Sequence, residues 1–270
     1  MSTHGSSWAS RMSGANVEGF VASLDRQGRM DVIRSMREWV RARLAIGPGS
    51  TVLDVGCGTG EELAELARIV SAGGRAVGID MNPPMARVAR QRLGEAAGVA
   101  IGVGEASVLP IRDGALDAVV CERVLQHLSH DPADAVLEFA RVVCDGGIVA
   151  LTDSDWSTLE IRVDDDERAT RQLLEVRERV RLPFTANQEA GGRLADYLSA
   201  ARLSVVDRRE AVLTDFTPEL VRGVGVGLNA AASAVLSASE VATVQTILDD
   251  ALERGSLRIA VRFHAVIGRR

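Results

Sequence analysis

The chain contains no lysine; all 31 of its basic residues are arginine. That excludes chemistry run through a lysine Schiff base, pyridoxal-dependent reactions included. Aromatic residues are scarce at 3% of 270 positions: three tryptophans, one tyrosine and five phenylalanines. So few rings do not build the stacking platforms that hold single-stranded nucleic acid. Positive charge is short too, since 37 acidic residues leave a net charge of −6. This argues against a polyanion as an obligate partner. The three cysteines, Cys57, Cys121 and Cys144, have neither metal-ligand nor redox spacing. Each lies beside an apolar run, which predicts reduced core or near-core thiols in a reducing compartment. Long apolar runs are also missing. The longest, residues 224–236, is built of small residues and broken by Asn229 and Ser233, which excludes a membrane span. Residues 1–19 are rich in Ser and Gly with no apolar segment, so no signal peptide is expected and the cytoplasm is the default location.

What is present is an ordinary globular composition, 46% hydrophobic and 25% charged. The length suits one large domain with insertions. The most informative stretch is residues 51–62. Val52 to Val55 reads as a short buried strand. Gly56, Gly58 and Gly60 follow at alternate positions, and then a helix begins with Leu63, Leu66, Ala67 and Val70 on one face. Glycines permit positive φ and close approach of a ligand to the backbone. A helix that starts there presents free N–H groups to that ligand. The spacing is G-x-G-x-G, which differs from the G-x-G-x-x-G of dinucleotide sites and disfavours a nucleotide-dependent oxidoreductase. With no lysine after the glycines, a P-loop is excluded. Asp80 stands 20 residues past Gly60 at the end of a second strand, where a carboxylate can accept from two ribose hydroxyls.

Strands and helices then alternate. An amphipathic helix is predicted over residues 30–44, ended by Gly47-Pro48-Gly49. Strands are predicted over 52–55, 75–79, 99–103, 116–121 and 147–152. Helices lie between them, one starting at Asn82-Pro83-Pro84 with Asn82 as its cap and one over 132–143. This order gives a parallel, doubly wound sheet whose ligand sits outside the carboxyl ends of the strands. Beyond residue 152 the pattern predicts a charged helix over 167–182, another around Leu194, Tyr197 and Leu198, a strand over 203–213, helical stretches over 218–254 and an alternating final strand over 257–267. Asp153-Ser154-Asp155-Trp156 reads equally as a substrate-facing acidic segment or as a turn.

Leu53-Asp54-Val55-Gly56-Cys57-Gly58-Thr59-Gly60 closely resembles motif I of the class I S-adenosylmethionine-dependent methyltransferases. Gly104-Glu105-Ala106-Ser107-Val108-Leu109-Pro110 resembles that family's third landmark, with Glu105 where Asp is usual. The resemblance covers residues 47–152 and is nearest to the small-molecule, methyltransferase type 11-like group that includes menaquinone and natural-product tailoring enzymes. It implies a Rossmann-like α/β fold: a doubly wound seven-stranded sheet with an antiparallel last strand and helical lid insertions. It implies S-adenosyl-L-methionine as cofactor, held by Asp54, Gly56, Cys57, Gly58, Thr59, Gly60, Asp80, Met81, Glu105, Ala106, Cys121, Glu122 and Gln126. No metal is implied.

His127, beyond the fourth strand, is the candidate general base, with Asp155 as its orienting partner or as an alternative base. The expected organisation is a tail and lid helix over 1–46, a cofactor-binding core over 47–154, a helical substrate lid over 155–202, and C-terminal strands with a helical insertion over 203–270. The expected activity is methyl transfer to a small molecule, with oxygen the favoured acceptor, by a monomer or homodimer without nucleic-acid or membrane partners. A cofactor-binding protein that transfers no methyl group is the main alternative.

Overall fold

The computed structural model describes residues 17–71, 73–94, 96, 98–179, 185–214, 216, 221 and 236–270. One seven-stranded sheet runs through it in the order β3-β2-β1-β4-β5-β7-β6. These strands are β1 (Thr51–Val55), β2 (Arg75–Asp80), β3 (Val99–Val103), β4 (Leu116–Glu122), β5 (Val143–Val163), β6 (Ser204–Leu213) and β7 (Leu257–Arg269). β1 to β5 pair in parallel, and β7 enters antiparallel between β5 and β6. The helices are α1 (Val17–Gly28), α2 (Asp31–Arg41), α3 (Glu61–Val70), α4 (Pro83–Leu93), α5 (Pro132–Val142), α6 (Glu167–Arg179), α7 (Leu194–Ala200) and α8 (Ala238–Glu253).

The central strands read as unbroken apolar runs because both faces are covered. In β1, Val52 enters one core and Leu53 the other. The first core joins Leu53, Val119 and Val149 to Phe139 of α5 and to Leu194 and Leu198 of α7. The second joins Val52, Ala118 and Ile148 to Ile33, Met36 and Val40 of α2 and to Leu63 and Leu66 of α3. Of the alternating face predicted for the last strand, Ile259, Val261, Phe263, Ala265 and Ile267, the last four are at most 1% exposed and Ile259 is half-buried.

Two elements differ from the sequence expectation. The fifth strand runs from Val143 to Val163, well past residue 152. Asp153, Ser154 and Asp155 are therefore neither a turn nor a helical lid; they pair with His264, Phe263 and Arg262 of β7. After a register shift between Asp155 and Glu160, the ribbon continues through Val163, opposite Leu257. This far end packs on α6 and α8 through Val163, Leu173 and Leu248 in a small core of its own. Second, a helix, α1, precedes the predicted one. Of the helical stretch expected over 218–254, α8 is helical as expected, and most of 215–236 lies outside the described residues.

Candidate functional site

β1 has β2 on one side and β4 on the other, and the chain moves outward in opposite directions from it. In open α/β sheets such a reversal leaves a crevice at the carboxyl ends of the strands. A cleft opens here, framed by the glycine turn, Asp80 and the segment after β4.

The turn is drawn over the end of β2 because Gly56 and Cys57 both donate to the carbonyl of Ile79, at 2.7 and 3.2 Å. Gly56 has φ of 74°, and a Cβ there would overlap Val124 Cγ2. Gly60, at 84°, opens α3 without a side-chain cap, which leaves the first-turn N–H groups to water or a ligand. Asp80 is 9% exposed. Its Oδ2 accepts from Gly58 N–H and its Oδ1 from Asn82 N–H, each at 2.8 Å. Burial raises its pKa and those two N–H groups pull it down. Each oxygen retains a second lone-pair direction for a ligand hydroxyl. Asn82 occupies the cap position of α4, but its side chain makes no capping bond and its buried Nδ2 has no partner. The capping role expected of Asn82 is thus not performed by its side chain, and Asp80 is the group that secures its N–H.

On the other side of the turn, four acids and three arginines meet. Asp54 is 4% exposed and its Oδ2 has no hydrogen-bond partner. Burial pushes its carboxyl well above the ordinary range, and the nearby Glu62 and Glu122 charges push the same way. Arg37 reaches in from α2, its Nε and Nη2 taking both oxygens of Glu122 at 2.8 and 2.9 Å, while its Nη1 takes Glu61 at 2.8 Å. Arg41 takes Glu62 Oε2 at 2.6 Å. Arg123 holds a left-handed φ of 56°, unusual outside glycine, and donates to Glu122 at 3.1 Å and to Gln27 of α1 at 2.5 Å. Burial would raise Glu122, but Arg37 and Arg123 override it and hold its carboxyl at about 2.

Beyond Arg123 a short 3-10 turn, Leu125–His127, carries Gln126 and His127. Gln126 N–H donates to buried Asp153 at 3.1 Å, and its side-chain oxygen accepts from Trp156 Nε1 at 2.5 Å. Residues 185–188 are strapped over this turn. Ala186 and Asn187 donate to Gln126 O, and Asn187 Nδ2 donates to the carbonyls of Leu125 and Leu128. Thr185 Oγ1 and Gln188 Nε2 in that strap are buried without partners.

Of the residues expected at the site, Asp54, Gly56, Cys57, Gly58, Thr59, Asp80, Met81, Ala106, Glu122, Gln126 and His127 line the cleft. Four do not. Gly60 sits behind the turn against α4, Cys121 is 1% exposed within the sheet, Glu105 points outward, and Asp155 bonds Ser157 from within β5. Sequence reasoning missed Leu24, Gln27, Arg37, Glu61, Glu62 and Arg123, which complete the wall. The two glutamates were visible as the start of α3. Nothing in the spacing of α1 or α2 marks Gln27 or Arg37 as reaching the sheet's edge.

Sheet order, glycine turn, strand-end acid and cleft define a class I, S-adenosylmethionine-dependent methyltransferase fold. Residues 53–151 match the family described as methyltransferase domain. Among curated relatives, a 37.1 kDa protein of transposon TN4556 from Streptomyces fradiae is 38% identical over 147 residues, covering 54% of this chain and 42% of that one. Arsenite methyltransferase from Halobacterium salinarum is 33% identical, covering 42% and 29%. Demethylmenaquinone methyltransferase from Lactiplantibacillus plantarum is 30% identical, covering 48% and 59%. The chain thus spans less than two thirds of each of these relatives. Among solved structures, the 4+2 cyclase SpnF aligns with a TM-score of 0.56 at 19% identity, over 100% of this chain and 87% of that one. Geranyl diphosphate C-methyltransferase from Streptomyces coelicolor, solved with S-adenosylhomocysteine, aligns with a TM-score of 0.52 at 18% identity, over 88% and 76%. At such identities the likeness is one of fold.

Proposed function

We propose that the protein transfers a methyl group from S-adenosylmethionine to a small-molecule acceptor, with a hydroxyl oxygen of a natural-product or other secondary-metabolite scaffold as the favoured nucleophile. The observation that carries this reading is the pairing, across one cleft, of Asp80 with lone pairs to spare and Asp54 with a buried, unpartnered Oδ2. A polar ligand with donors at both ends satisfies both acids, which is what an adenosyl amino acid offers. Asp80 holds the ribose hydroxyls, Met81 and Ala106 flank the base, and the glycine turn accommodates the chain between. When bound, the cofactor supplies an electrophilic methyl on a sulfonium sulfur.

The rest belongs to the protein. Leu128, with a side chain that is 6% exposed, keeps one wall apolar, and Val124 closes against Gly56. A dry, shaped wall favours transfer in which charge is neutralised, and orientation alone can supply about 7–11 kcal/mol of such a barrier. His127 lines the cleft on the 3-10 turn and takes the hydroxyl proton. The base role rests on His127 alone, since Asp155 is turned to Ser157.

The test is incubation with methyl-labelled cofactor and a panel of hydroxylated metabolites. Labelled product is expected from at least one. Tight cofactor binding with no transfer to any acceptor favours instead a protein that uses the cofactor without methylating.

A further inference from the structure

The sheet ends at β6, which pairs with β7 on one side and with no described strand on the other. A strand so placed turns every second backbone N–H and C=O outward, a template for a further strand. Charge usually guards such an edge, because a second copy brings the same charge to the same place. On β6 the charges are ordered differently. Its exposed positions are Ser204, Val206, Arg208, Glu210 and Val212, and the residues between them are half-buried. Val206 and Val212 are each 50% exposed. Read in either direction between these two valines, the exposed positions give an apolar residue, a charge, the opposite charge and an apolar residue. Among the described residues no partner holds the Arg208 side chain. Glu210 is held loosely, by Arg262 at 3.4 Å and His264 at 3.7 Å.

We propose that β6 is the docking edge for a second copy of this chain, laid antiparallel about a two-fold axis at Arg209, so that two sheets join as one. Backbone geometry restricts the axis first. Outward-facing groups must meet outward-facing groups, and these alternate along the strand. The axis therefore falls at a residue paired with its own copy, not between two residues. Charge then selects the residue. With the axis at Arg209, Val206 faces Val212 of the copy and Arg208 faces Glu210, each twice over by symmetry. Moving the axis one residue either way sets Arg208 or Glu210 against its own copy. A larger step loses both charge pairs. The ladder to β7 is regular from Asp207 to Leu213, and the register shift between Val205 and Asp207 marks one end of the straight run. On the opposite face the two Arg209 residues meet at the axis. Each guanidinium is drawn aside by its own α2, donating to Ser35 O at 3.0 Å and to Ser35 Oγ at 2.8 Å.

The experiment is analytical ultracentrifugation of the whole chain and of two variants, Arg208→Glu and Glu210→Arg, each alone and then mixed in equal amounts. Circular dichroism checks that each variant folds. The unmodified chain is expected to sediment as a dimer. Either variant alone sets like charge against like at both meeting points, and its dimer should dissociate roughly tenfold more readily or worse. In the mixture one partner is acidic at both positions and the other basic at both. Opposite charges meet again, and the dimer should return. Mixing does not rescue variants that are merely damaged, so this arm separates pairing from folding. An unmodified chain that stays monomeric leaves the edge to solvent or to a strand of another protein, and overturns the inference. So do variants that dimerise as tightly as the unmodified chain, or a mixture that associates no better than its parts.

Discussion

Replacing Arg37 by methionine should cost about 3 kcal/mol of stability at neutral pH, with a cost that shrinks in acid. Methionine retains much of the apolar stem, so what is lost is the guanidinium. Arg37 and Glu122 are each 12% exposed. Breaking a buried pair costs about 3–5 kcal/mol, and the Arg123 contact that survives sets the expectation at the low end. Glu61, 43% exposed, turns to water.

Proton linkage supplies a second route to the magnitude. The Glu122 carboxyl lies at about 2 in the fold against an ordinary 4.5, because the arginines overcome its burial. That difference of roughly 2.5 units corresponds to about 3.4 kcal/mol. The folded pKa is depressed, so the stabilisation is complete above the unfolded value near 4.5 and is lost as pH falls through about 2. By pH 3.5 roughly 2 kcal/mol of it remains. Urea unfolding of both proteins at pH 7 and pH 3.5 reads the gap directly. It should be about 3 kcal/mol at pH 7 and narrower by about 1 kcal/mol or more in acid. A gap under about 1 kcal/mol at pH 7, or one that ignores pH, refutes the ion-pair reasoning.

Asp80→Ala removes charge-assisted acceptors each worth about 1.5–3 kcal/mol, so S-adenosylhomocysteine affinity should drop at least tenfold, and unchanged calorimetry would sink the ribose assignment. Gly56→Ala places a side chain at a φ of 74° and against Val124. It should lower the melting temperature and abolish binding together, and a variant that binds normally would show that the turn yields more easily than its geometry implies. His127→Ala should slow single-turnover methylation about 10²–10⁴-fold with cofactor affinity unchanged. A near-normal rate at every pH would make His127 part of the wall and leave orientation to drive transfer.

The nucleotide half of this fold was legible because its signals are local. Strands buried on both faces leave apolar runs, a glycine turn leaves its glycines, and Asp80 stands at a countable distance from Gly60. Even the antiparallel β7 announced its buried face by alternation. What escaped detection is long-range. Arg37 lies at the edge of a helix whose apolar face, Ile33, Met36 and Val40, was plain, but nothing local says which acid an arginine on that edge will meet 85 residues later. The length of β5 escaped for a related reason. Residues 153–156 are acids, a serine and a tryptophan, which propensity assigns to a turn. Residues 153–155 are held extended by pairing with β7 more than 100 positions away, and tertiary pairing outweighs propensity. Asp155 was drawn toward the cleft by its place after a strand end that, in the fold, is the middle of a strand.

That long strand gives the molecule a mechanical property. From Asp155 to Val163 it carries its partner outward for eight residues, about 26 Å at roughly 3.3 Å each. Beyond the sheet the ribbon is a cantilever, loaded at its tip by α6 and α8. Its root is where Asp153 fixes the Gln126 backbone and Trp156 fixes the Gln126 side chain. A paired ladder does not slide by fractions of a residue, so force on the tip bends the arm where pairing is interrupted, between Asp155 and Glu160. Trp156 is the first residue of this joint. One continuous strand thus joins the helices at the tip to the turn that carries His127.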